Sequence, residues 1–309
     1  MVPEGSPADG AQMERPMRAR AATGEDGRSR DRTRPPLPDP LPIPVVDAHC
    51  HLDIADGKDG AWLSAPDAIR KASAAGVTRI VQVGCDLPGA AWAVDAAATY
   101  DGVIAAVALH PNEAPKLAAA GELDAALAEI ERLATAHDKV RVIGETGLDY
   151  FRTGPDGQAA QQESFAAHVA MAKRLGKALM IHDRDAHDDI MPVLDREGVP
   201  DRFVMHFFSG DTEFARKCAE RGGWLSFAGV VTFKNAQSLR DALAVTPLDR
   251  ILVETDAPYL TPSPFRGQPN ASYLIPHTVR RMADVLNISV PELCQALSAN
   301  ADAVFGGRW

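Results

Sequence analysis

Eight short runs of mostly apolar, often β-branched residues recur along this chain, near residues 44–49, 77–83, 103–109, 140–145, 178–182, 202–206, 224–228 and 250–255. Runs of about 4–6 such residues are the pattern of strands buried on both faces. Helix-like segments separate them, among them Ala65–Ala75, Leu87–Ala98, Leu123–His137 and Gln158–Arg174, and residues 275–305 read as closing helices. Alternation of this kind gives βα units around a parallel sheet. Eight units in sequence match an α/β fold of the (β/α)8 TIM-barrel type. A doubly wound open sheet is the alternative, but it would scatter the strand ends along a line.

The polar residues at the ends of these runs favour closure. His49 and His51 end the first run, Glu145 the fourth, His182 the fifth, His206 the sixth, and Glu254 with Asp256 the eighth. On a strand, residues i and i+2 share a side, so both early histidines can aim at one point while Cys50 turns away. In a barrel, all these C-terminal ends meet on one face. His49, His51, Glu145, His182, His206 and Asp256 supply four imidazoles and two carboxylates. One tetrahedral zinc uses at most four ligands. Six suit two divalent ions about 3.5–4 Å apart with a shared carboxylate. The division places His49, His51 and Asp256 on one ion, His182 and His206 on the other, and Glu145 between them. Such a nitrogen and oxygen shell suits Mg, Mn, Zn, Co or Ni. Its chemistry is hydrolysis, with Asp256 and Glu145 as the catalytic pair and Asp256 able to position water.

Composition bounds the remainder. The 309 residues are 46% hydrophobic, enough for one large core, and no run of 18 apolar residues offers a membrane span. Four cysteines without paired spacing and no visible secretory signal point to reduced thiols in a cytoplasm. Residues 1–40 differ: they contain seven Arg, seven acids and no Lys, and they lack periodicity. They read as a disordered leader spanning residues 1–42, ahead of a single catalytic domain over 43–309. Because its charges balance, the net charge of −10 belongs to the barrel and argues against broad duplex binding.

Six motifs carry a resemblance. They are Asp47-Ala48-His49-Cys50-His51-Leu52-Asp53, Leu109-His110-Pro111, Gly144-Glu145-Thr146-Gly147-Leu148-Asp149-Tyr150, Ile181-His182-Asp183-Arg184, His206-Phe207-Phe208-Ser209-Gly210 and Glu254-Thr255-Asp256-Ala257-Pro258-Tyr259-Leu260. In this order they resemble the TatD-type metal-dependent deoxyribonucleases of the amidohydrolase-like barrel group, from about Pro44 to Phe305. The resemblance implies a two-metal 3′→5′ exonuclease that acts on DNA ends through the same six ligands, here expected as a monomer. Glu145 stands where the carboxylated-lysine branch carries a lysine. An alternative use of the same metal pair is hydrolysis of a small ester, amide or aminoacyl linkage.

Two departures touch substrate handling. Phe207 replaces a usual Cys, so packing near the metals is expected to tighten. The segment Arg266-Gly267-Gln268-Pro269-Asn270-Ala271-Ser272 keeps Arg266 and Asn270 but loses two basic residues and an acid of the usual pattern. His110, Arg184, Lys234 and Arg266 follow strand ends and are the candidate substrate contacts, with Tyr150, Phe208 or Phe233 as stacking surfaces. Asp53, Asp149 and Tyr150 read as residues that orient ligands. His137, His168, His187 and His277 read as solvated or helix-surface residues.

Overall fold

A computed structural model describes residues 16–23, 29–56 and 62–309. Eight strands form one parallel sheet: β1 (Val45–Cys50), β2 (Val77–Gly84), β3 (Val103–Val107), β4 (Val140–Asp149), β5 (Ala178–Arg184), β6 (Phe203–Met205), β7 (Trp224–Phe227) and β8 (Ile251–Val253). Each pairs with its sequence neighbour. The ring closes where β8 meets β1. His51 N donates to Ala257 O (2.8 Å) and Asp256 N donates to His49 O (2.9 Å). The buried Asp47 carboxylate accepts from Thr255 N (2.9 Å) and Thr255 Oγ1 (2.6 Å). The chain is therefore a (β/α)8 barrel, closed at its upper rim.

All eight apolar runs are strands. The fourth continues past Glu145 to Asp149, and the sixth and eighth keep only three residues each. Helices cover the ring: α1 (Ala65–Ala74), α2 (Leu87–Thr99), α3 (Ala114–Ala120), α4 (Leu123–Ala134), α5 (Pro155–Leu175), α6 (His187–Glu197), α7 (Thr212–Glu220) and α8 (Gln237–Val245), then α9 (Ile275–Leu286) and α10 (Val290–Phe305). Several start on side-chain caps that satisfy free N–H groups. Ser64 caps α1, Asp86 α2, Asp211 α7 and Ser289 α10.

Two cores result from the strand alternation. Val46, Ala48, Val83, Ile104, Met180 and Leu252 fill the barrel interior, which Val304 and Phe305 of α10 plug from below. Val45, Ile80, Val103, Ile130, Phe165 and Leu194 belong to the outer core between barrel and helices. Each such large side chain removed from water contributes about 1.5–3 kcal/mol. Among the described residues no helix is long and apolar enough to cross a membrane.

Part of the segment expected as a leader is described and touches the barrel. Arg18–Ala19 pairs in parallel with Ile54–Ala55. Tyr273 donates to Pro35 O (2.7 Å), and Leu41 is buried in the outer core with its N–H on Ala75 O (3.0 Å). The segment lacks periodicity because it docks through guanidinium groups, prolines and one leucine, not through an amphipathic face. Residues 1–15 and 24–28 lie outside the described residues.

Candidate active site

The six strand-end residues meet at the upper mouth of the barrel. Two β-bulges put them there. Between Asp47 and Cys50, three residues of β1 oppose two of β2. Between Ile143 and Thr146, β4 slips by the same amount against β5. A bulge re-aims a side chain at the cost of one ladder bond. In β1 it lets Ala48 and His49 both face the interior, His49 reaching Met180 Sδ at 3.1 Å, while Cys50 joins the outer core. In β4 it sets Glu145 at the centre. Gly147 allows the close approach of β5 there, since a Cβ would lie 2.1 Å from His182 O.

Glu145 is the hub. Its Oε1 lies 2.6 Å from His182 Nδ1, 3.2 Å from His206 Nε2 and 3.5 Å from His110 Nε2. Its Oε2 lies 3.6 Å from His49 Nε2. Asp256 Oδ1 is 3.5 Å from His51 Nε2 and 3.7 Å from His49 Nε2. The rings of His49 and His206 stack with centroids 3.6 Å apart. Glu145 keeps 5% of its side-chain surface exposed, whereas Asp256 keeps 17% and is the more open of the two carboxylates. Asp256 adopts a left-handed backbone (φ 52°), as does Phe207 (φ 47°), at the exits of their strands.

Tautomers follow from the outer partners. Val83 O can only accept, so His51 Nδ1 carries a proton (3.0 Å) and Nε2 is the atom turned to Asp256. Glu254 Oε1 sits 2.8 Å behind His206 Nδ1, close but without a well-formed hydrogen bond, and the ring turns Nε2 toward Glu145. His182 turns Nδ1 inward and has Asp149 Oδ2 at 3.4 Å behind Nε2. The His49 and His51 Nε2 atoms stand 3.2 Å apart. Buried His182 Nε2 has no well-formed hydrogen bond. Lone pairs converging on shared carboxylate oxygens, without thiolate, fit divalent cations. The clusters His49–His51–Glu145, His49–His206–Asp256, Glu145–His182–His206 and His110–Asp149–His182 can each hold one.

Charge agrees with this. Burial pushes Glu145 toward its neutral form, but His206 and His110 outweigh it and hold the carboxyl well below the usual range. Burial likewise opposes charge on His206, and Glu254 with Glu145 overcome it, raising its pKa. Glu145 is thus anionic at neutral pH.

A cleft of about 1020 Å³ opens above the hub. Of the expected substrate contacts, His110 and Arg184 line it, and Arg184 stacks on the exposed Phe151 at 3.8 Å. Lys234 and Arg266 lie outside that lining; Arg266 stacks on Phe233 at 4.6 Å. Phe207 does not tighten the metal pocket. Its backbone N–H donates to Glu254 (2.9 Å) and its half-buried ring lines the cleft. Asn270 holds the loop after β8 by donating to Thr255 O (2.9 Å) and Tyr259 O (2.6 Å).

Other residues were missed. Cys85, at the end of β2, places Sγ 3.5 Å from Glu145 Oε2, and burial raises its thiol to about 12. Its place at a strand end was a readable signal. His168 is fully buried, not a surface residue. Leu109 N donates to its Nε2 (3.2 Å) and its Nδ1 donates to Ser164 O (2.7 Å), so it braces the turn that carries His110. Arg18, Arg20 and Arg30 of the N-terminal segment line the cleft beside His51 and Asp256.

The comparisons with known proteins bear on this site. The family model for TatD related DNase matches residues 46–306. An uncharacterized metal-dependent hydrolase of Mycobacterium tuberculosis, TatD, is 45% identical, the match covering 85% of this chain and 98% of that one. The Escherichia coli hydrolase YcfH is 38% identical over 84% of this chain and 95% of its own. The crystal structure of YJJV, a TatD homolog from Escherichia coli, superposes with a TM-score of 0.76 at 28% identity, covering 84% and 97% of the two chains. This chain belongs to the TatD-related DNase family of metal-dependent hydrolases.

Proposed function

We propose that the protein is a two-metal phosphodiesterase that shortens DNA from the 3′ end. The observation that carries this reading is the convergence of the His49, His51, His182 and His206 ring nitrogens on Glu145 and Asp256 at the mouth of the barrel. His49, His51 and Asp256 would hold one divalent ion (Mg, Mn or Zn), His182 and His206 the other, with Glu145 shared. A bound pair of this kind activates water near neutral pH and stabilises the attacking and leaving oxygens of a phosphoryl group.

The chain's own groups do the rest. Asp256, the more open carboxylate, is placed to orient water and take its proton. His110 and Arg184 face the cleft and would contact the scissile phosphate and the strand behind it. Glu254 and Asp149 fix the imidazoles of His206 and His182.

Purified protein stripped of metal, then given Mg, Mn or Zn, should shorten single-stranded DNA. Labels at the 3′ and the 5′ end report the direction. Metal-dependent loss from the 3′ end, abolished by Asp256→Asn, supports the reading. Inertness with every metal would overturn it, and turnover of a small ester or amide would then identify the use of the site.

A further inference from the structure

We infer that the described parts of the N-terminal arm, residues 18–23 and 29–34, form a strand-binding lip of the active site, their arginines holding phosphates of the nucleic acid whose end lies at the hub. The inference deepens the nuclease reading and rests on it.

The arm is built into the mouth of the barrel. Its short strand adds to Ile54–Ala55, three residues beyond His51. Arg18 pairs with Asp86 after β2, and Arg20 donates to Asp56 (3.0 Å) and to Pro258 O (2.7 Å) after β8. The arm thus spans the loops following β8, β1 and β2. Arg20 lies 4.8 Å over the Tyr259 ring, which meets the His51 ring edge-on at 6.1 Å. One aromatic ring separates an arm guanidinium from a candidate metal ligand.

These contacts anchor the guanidiniums without exhausting them. Each has five N–H donors. Arg20 Nε is buried and has no hydrogen-bond partner. Arg30 donates through Nε to Thr23 O of the arm itself (3.2 Å) and lines the cleft. Among the described residues of the arm, five arginines face one acid, Asp31.

Position decides what this charge is for. The floor of the cleft carries carboxylates and the chain carries a net charge of −10, so an approaching polyanion meets repulsion everywhere except at local cations. Arg184 supplies such a cation at β5, four strands round the ring from the arm. A strand lying between these two lips has phosphate partners on both sides of the hub. The family model begins at residue 46, after the arm, so this lip is an addition to the shared barrel.

The test compares the metal-loaded full chain with Arg30→Ala and Arg20→Ala on two substrates, a single-stranded oligonucleotide and bis(p-nitrophenyl) phosphate. Each variant should raise KM for the oligonucleotide by about tenfold, the worth of one charge-assisted hydrogen bond. kcat should stay within about twofold, a change worth only about 0.4 kcal/mol. Turnover of the small diester should not change. The slope of log(kcat/KM) against log[salt] should flatten by about 0.7 per lost phosphate contact. Unchanged KM and slope in both variants overturn the lip. A rise in kcat/KM overturns it too, because the arm is then an occluding lid. If the wild type leaves DNA intact, the nuclease reading fails, and fluorescence anisotropy of a labelled oligonucleotide still judges the arm. Binding weakened by Arg30→Ala supports the lip, and equal binding removes it.

Discussion

On the floor of the cleft, the candidate metal ligands sit on or just past strand ends of a closed ring. On its rim, Arg184 ends β5, while Arg152 comes from a loop and Arg18, Arg20 and Arg30 from an arm outside the ring. The floor is held by main-chain ladders and by outer partners such as Val83 O and Glu254. The rim is held by a two-residue strand pairing and by side chains on carbonyls and carboxylates, and its side-chain contacts are separable from one another. A ring has no independent parts, so damage to the floor should be near all-or-none. Damage to the rim should be graded.

The strongest test of that contrast is Glu145→Ala. Glu145 touches four of the five histidines around it, so its removal leaves no shared carboxylate. Activity should fall by at least about a thousandfold, or about 4 kcal/mol. The circular dichroism spectrum and melting temperature should persist, because no barrel bond depends on that side chain. Activity within tenfold of wild type would show that the hub is not shared.

His168 tests whether support behind the floor is equally stiff. Burial depresses its pKa from the ordinary 6.5 to about 4. Unfolded His168 therefore binds a proton between pH 6.5 and 4 while folded His168 does not, and stability must fall as pH drops through that window. At about 1.4 kcal/mol per unit, the loss is on the order of 3 kcal/mol, complete near pH 4. Urea midpoints of wild type and His168→Gln at pH 7 and pH 4.5 read it. The variant should lose less, and parallel losses would show that His168 is not what titrates.

How far the sequence reveals each region follows the same division. Strand ends are legible because period and polarity coincide, and in a closed ring the C-terminal position alone names the site. The bulges in β1 and β4 were not legible, since a one-residue slip leaves no mark in composition. His168 was misread although the signal existed. Gln161, Ser164, Phe165, His168 and Met171 form a stripe at helical spacing, and that stripe is the buried face of α5. The arm was illegible for a physical reason: guanidiniums docking on carbonyls need no periodicity.

Glu254 lies between floor and rim in expected effect. Its Oε1 lies 2.8 Å behind His206 Nδ1, where it would orient the ring, and accepts the Phe207 N–H (2.9 Å). Glu254→Ala should cost about 10–100-fold in metal affinity or activity. Glu254→Gln keeps an oxygen for both donors and should recover most of that loss. Equal damage in the two variants would make its charge, not its orienting bond, the important property.

The smallest effects belong to Lys234 and Arg266, which the sequence marked as substrate contacts. The fold uses the carbonyl of Lys234, as acceptor from Arg240 Nη2 (3.2 Å), and leaves the residue exposed outside the cleft. Arg266 is occupied with the Phe233 ring, although its place after β8 put it near the hub in sequence. Alanine at either position should change KM for single-stranded DNA by no more than about twofold, or about 0.4 kcal/mol. A tenfold rise in either variant would extend the rim around β7 and β8, so that phosphates pass on that side of the hub. The arm and Arg184 would then be two of three lips, and the salt slope of the wild type would exceed what those two can supply.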